Sequence, residues 1–200
     1  MASTIQKSKP TYGFLTVVEH PQLGLCGGYL VLNPAGRPLE FHCTAPIKPN
    51  RAQEILYGRT LHDFLYGEQI GGALIGNNDE RPLLVFTDLK PVLAARRHVS
   101  MPLVMVLGDS ATEAGDLPDG SADGDNPRSN KTYRVDAAGE SIPRPALLRH
   151  GRNRLALSAA DEADRPLVVD CLTGLDESFD LSEPFERIRA AIEEARQAAQ

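Results

Sequence analysis

The chain has 200 residues, of which 42% are hydrophobic and 24% charged, with a formal net charge of −6 and a pI near 5.4. These values suit one globular domain of ordinary size, and the acidic surplus counts against a dedicated nucleic-acid binder, whose affinity rests on neutralising phosphate. No apolar run approaches the roughly 18–20 residues that span a bilayer, so no membrane association is expected. Three widely spaced cysteines make no disulfide framework, which points to reduced thiols and a cytoplasmic chain.

Residues 1–10 are polar, carry Lys7 and Lys9 without an apolar signal core, and read as a flexible tail. Tyr12–Glu19 is β-branched and aromatic enough for a first strand. His20-Pro21-Gln22-Leu23-Gly24 turns the chain, and a second strand, Gly28–Asn33, ends in the turn Asn33-Pro34-Ala35-Gly36. In the third strand Leu39, Phe41 and Cys43 alternate with Glu40, His42 and Thr44, a period of two that predicts one buried face and one wetter face. The apolar set should be the buried one, which makes Cys43 a buried thiol.

Asn50 is placed to cap a helix from Arg51 to about Tyr57, ended by Gly58. Thr60 can cap a second, glycine-rich helix with Leu61, Phe64, Leu65, Ile70 and Leu74 along it. Pro82–Thr87 reads as a strand buried on both faces. Leu89–Arg97 reads as a short helix with Pro91 in its first turn, and Pro102–Leu107 as another buried strand. This core, residues 11–108, gives way to a Gly/Asp/Ser-rich stretch over 109–145 that reads as a long loop, with one strand near Lys131–Val135. Its acids Asp116, Asp119, Asp123 and Asp125 lack the ligand spacing of a calcium loop. Residues 146–200 should complete the same domain. They hold expected strands at Arg154–Ser158 and Pro166–Thr173 and an amphipathic helix from Glu183 to about Ala198, whose stripe Phe185, Ile188, Ile192 and Ala195 should dock on the sheet or face a partner chain.

The fold class expected is therefore α+β: a three-stranded antiparallel meander extended by buried strands into a mixed sheet flanked by helices. With the words Gly27-Gly28, Asn50-Arg51-Ala52-Gln53-Glu54 and Phe86-Thr87-Asp88, the first half of the chain resembles the ribonuclease H-like superfamily. The resemblance implies phosphodiester hydrolysis of nucleic acid by two Mg²⁺ or Mn²⁺ ions held between carboxylates. By that resemblance Glu19, Glu54 and Asp88 are the catalytic and metal-binding acids. A fourth would come from a late helix, with Asp176, Asp180 and Glu183 as candidates. Glu19 departs from the aspartate usual at the first position.

Other chemistry has less to support it. His20, Cys26, His42 and Cys43 lack the spacing of a zinc motif, and a thiol enzyme using Cys26 or Cys43 would need an exposed electropositive pocket. Lys48 and Arg51, with Arg96, Arg97 and His98, could face a phosphate. No P-loop or Gly-x-Ser-x-Gly elbow is present. The competing reading is a non-catalytic protein-interaction or sensor module on a PAS- or profilin-like α+β scaffold. Its partner surface would be the meander edge, the glycine-rich helix or the C-terminal helix.

Overall fold

A computed structural model describes residues 10–108 and 145–198. The tail before Pro10, the acidic run and the expected strand at 131–135 lie outside the described residues. The first hairpin joins β1 (Tyr12–His20) to β2 (Gly24–Leu32), and β3 (Pro38–Cys43) completes the meander. Then follow α1 (Arg51–Tyr57), a π-helix over Asp63–Gly72 continued by α2 (Ala73–Gly76), β4 (Leu84–Thr87), a 3₁₀ helix over Lys90–Arg97 and β5 (Leu103–Leu107). After the undescribed segment come β6 (Ala146–His150), β7 (Asn153–Leu157), a 3₁₀ helix over Ala159–Asp164, α3 (Arg165–Leu172) and α4 (Glu183–Ala198). All seven strands form one mixed sheet in the order β3-β2-β1-β4-β5-β7-β6. Strands β4 and β5 run parallel to β1, and every other pairing is antiparallel.

Alternation along the strands feeds two cores. Tyr12, Phe14, Leu84, Phe86, Val104 and Leu155 face α3 and α4, where they meet Val168, Phe185, Ile188 and Ile192. Leu15, Val17, Tyr29, Val85 and Leu103 face the π-helix and the 3₁₀ helix Lys90–Arg97, against Leu65, Ile70, Val92 and Ala95. The glycine-rich helix is consumed in this packing, because a Cβ on Gly67 would come within 2.6 Å of the Ala94 Cβ and 2.8 Å of the Ala95 nitrogen. Its wide π turns, with bonded groups five residues apart in sequence, go with this close seat.

Three expectations need correction. Pro166–Thr173 is helical, not a strand: Val168, Cys171 and Leu172 fall on one buried face at i, i+3 and i+4, while Pro166 sits harmlessly in the first turn. Strand β6 was hidden because Ala146–His150 has only one fully buried position and lies at the sheet's edge. The third correction is the phase of β3. Its period of two is present, but Leu39 (46% exposed), Phe41 (38%) and Cys43 point to solvent, while Glu40 and His42 are half-buried. Cys43 is therefore an exposed thiol. Glu40 explains the inversion: its carboxylate accepts from the backbone N–H groups of Asp79 (3.3 Å) and Glu80 (3.1 Å) and from His42 Nε2 (3.1 Å). The polar row thus ties the loop before β4 to the meander, and the apolar row is left outside. Partial burial works to raise the Glu40 carboxyl, yet these hydrogen bonds outweigh it and hold it below the ordinary carboxylate range.

Candidate functional site

The C-terminal end of β4 delivers Asp88 to the α4 side of the sheet. Parallel pairing ends at Leu15–Thr87, so Asp88 lies one step further on, level with Thr16 of β1. Both residues follow the phase of the stacked pair Phe14–Phe86 (ring centroids 5.0 Å apart) and face α4. There Arg189 of α4 donates a close hydrogen bond to Asp88 Oδ2 and another to Glu186 Oε1 at 2.9 Å. Asp88 Oδ1 and Thr16 Oγ1 are buried without a hydrogen-bond partner among the described residues. The centre is thus one carboxylate, one hydroxyl and one guanidinium, with Glu186 largely exposed at its rim.

The remaining acids named from the sequence stand elsewhere. Glu19 continues the phase of Leu15 and Val17, so it projects on the π-helix side. There, burial pushes the Tyr66 hydroxyl up and the charge of Glu19 adds to it. Glu54 is on α1, a helix with no buried residue, and pairs with Arg51 at 2.9 Å. Asn50 caps the helix and Gly58 closes it at φ +48°, as read from the sequence, and the structure adds the Gln53 side chain reaching back to the Asn50 N–H, which completes a reciprocal capping box. Asp176 is exposed in the turn after α3, where hydrogen bonds from the Ser178 hydroxyl and amide hold its carboxyl below the usual range. Asp180 pairs with Arg152 and Glu183 with Arg187.

Among the described residues, no three His, Cys, Asp or Glu side chains are grouped to hold a metal ion. The donor set at Asp88 does not fit a divalent ion either, because the group lying against the carboxylate is a cation. Glu19, Glu54, Asp88 and Asp176 are therefore not brought together into one metal-binding centre. Two of the basic residues that could face a phosphate are engaged by acids: Arg51 by Glu54, and Arg96 by Asp164 through Nε (2.5 Å) and Nη2 (3.1 Å). The helical period reads Arg189 as part of the polar face of α4, with Glu186 and Glu193 opposite the apolar stripe; the structure corrects this, since Arg189, next to the buried Ile188, pairs with Asp88 at the end of β4.

Thr16→Val tests whether the orphaned hydroxyl serves only the fold. The swap keeps the shape and removes a polar group that lacks a partner, so stability should rise by about 1 kcal/mol in urea titrations. A loss of similar size would show that the hydroxyl is engaged, for instance by an ordered water.

Compared with known protein families and with curated proteins, the chain matches neither a family model nor any curated sequence. What stands is an α+β protein with a seven-stranded mixed sheet; among the described residues no helix is long and apolar enough to cross a membrane.

Proposed function

We propose that the protein is a non-catalytic protein-interaction module built on an RNase H-like scaffold. Support for the scaffold comes from element order: an antiparallel meander, helices, a strand parallel to β1, a helix, a second parallel strand and a closing helix. The observation that carries the non-catalytic reading is the Asp88–Arg189 pair beside Thr16. Two-metal hydrolysis needs several carboxylates around ions roughly 4 Å apart, whereas here the carboxylate at the strand end is met by an arginine. An α+β scaffold alone decides nothing about activity, so the reading rests on the site.

Of the three surfaces that could receive a partner, two are spent internally. The glycine-rich helix is pressed against the 3₁₀ helix Lys90–Arg97, and the apolar stripe of α4 (Phe185, Ile188, Ile192) is buried on the sheet. The meander edge remains, with Leu39 and Phe41 exposed on it, as does the tip of α1, where Ile55 is 66% and Leu56 82% exposed. The reading is tested by titrating Mn²⁺ and Mg²⁺ against labelled single-stranded and hybrid substrates, with wild type and Asp88→Asn side by side. The expected result is no metal-dependent cleavage above background in either. Cleavage by wild type that falls at least tenfold in Asp88→Asn would overturn it.

A further inference from the structure

The backbone register of β3 fixes what its outer edge offers. Thr44 N–H bonds the Gly27 carbonyl at 2.9 Å, so Thr44 and, alternating with it, His42 and Glu40 turn their backbone groups toward β2. Phe41 and Cys43 therefore turn theirs away from the sheet, and no backbone partner among the described residues meets them. Natural edges are guarded by lysines, prolines or bulges. Here a bulge at Leu39, where the register slips between Val31 and Leu32, and Pro38 guard only the start of the strand. From Glu40 to Cys43 no proline, lysine or bulge guards it.

We propose that this edge pairs with the same edge of a second copy of the chain, antiparallel about a two-fold axis through Phe41. That register is self-complementary on both faces. Phe41 meets the other Phe41 and Glu40 meets His42 across the axis, while the bulged Leu39 lies beyond the regular pairs, beside Cys43. On the α4 side the pairing covers the apolar row that the monomer leaves exposed. On the π-helix side it sets an acid opposite an imidazole twice over. The Glu40 carboxylate has about four acceptor positions and uses three, on His42, Asp79 and Glu80, so a donor from the second copy finds room. A register one step along would set His42 on His42 and Glu40 on Thr44, and lose the charge pairing. Cross-strand pairs of these kinds are what stabilise sheet registers, and an isologous contact closes as a dimer without propagating. The regular edge is short, at the low end of what a stable interface uses, so the dimer is concentration-dependent.

The inference names an occupant for the edge that the interaction-module reading leaves open, and its test separates the two. Sedimentation velocity on the full chain should show the weight-average mass rising from monomer toward dimer between about 1 and 500 µM. In this series Phe41→Lys, which sets two ammonium groups on the axis, should stay monomeric with an unchanged circular dichroism spectrum. Phe41→Cys in a Cys43→Ser background places two sulfurs at a hydrogen-bonded antiparallel pair, with Cα atoms about 5.5 Å apart and within disulfide reach. Mild oxidation should convert most of it to a covalent dimer, while Leu56→Cys in the same background, on the exposed tip of α1, should stay largely uncrosslinked. A chain that is monomeric throughout the range, or equal crosslinking of the Phe41 and Leu56 variants, would overturn the dimer. Either result would leave the edge to a different protein, and so would not touch the metal titration that tests catalysis.

Discussion

Phe86→Ala should lower the stability of this protein by about 3–5 kcal/mol. The side chain is fully buried on β4, the strand between β1 and β5 at the centre of the sheet. Its ring stacks on Phe14 with centroids 5.0 Å apart and lies 6.3 Å from that of Tyr12. Truncation removes that ring's transfer free energy and leaves a cavity among Leu84, Val104 and Leu155, which strand backbones on both sides keep from collapsing. For a chain of this length each kcal/mol moves the melting temperature by about 2–4 °C, so the midpoint should fall by roughly 6–20 °C. Leu56→Ala is the control, since that side chain is 82% exposed and its loss should stay within about 0.5 kcal/mol. Thermal and urea melts monitored by circular dichroism decide it. A cost below about 1 kcal/mol at Phe86 would mean that the sheet's centre is not packed as described.

Much of this arrangement is legible in the sequence. Strong local chemistry gave reliable elements: the Asn50 cap with Gly58, the Asn33-Pro34-Ala35-Gly36 turn, and the stripe of α4. What was illegible depended on neighbours that a sequence does not display. The phase of β3 is one case, since alternation tells which residues share a face but not which face is covered; Glu40 decided that by reaching two amides some forty residues away. Cys171 shows the other failure. Val168-Val169-Asp170-Cys171-Leu172 is β-branched enough to read as a strand, but the segment packs as a helix, with the Cys171 carbonyl accepting from the Tyr12 hydroxyl at 2.9 Å. Tertiary context overrode propensity there. The candidate site was half visible. Asp88 was found because a strand ended on it, whereas its partner Arg189 lies 101 residues further on, within an otherwise ordinary amphipathic pattern.

The two glycines that opened the family resemblance carry the second large effect. Gly27 and Gly28 are consecutive on β2, so they face opposite sides of the sheet. A Cβ on Gly27 would overlap Ile70 Cγ2 of the π-helix and come within 2.9 Å of Leu74 Cδ1. On Gly28 it would overlap Ile188 Cγ2 of α4 and come within 2.9 Å of Ile192 Cδ1. At this pair helices from both layers seat directly on backbone. Gly28→Val should cost about 3 kcal/mol, because Ile188 is β-branched and stiff and cannot swing aside. The displacement would fall on α4, which also carries Arg189, so it should loosen the Asp88 pair as well. Trimming the obstacle supplies the check. Ile188→Ala alone should destabilise by 2–5 kcal/mol, but combined with Gly28→Val it should cost at least about 1 kcal/mol less than the two single effects added, the coupling expected of residues in contact. Strict additivity in urea denaturation would place α4 away from Gly28, and the seat of the closing helix would have to be redrawn.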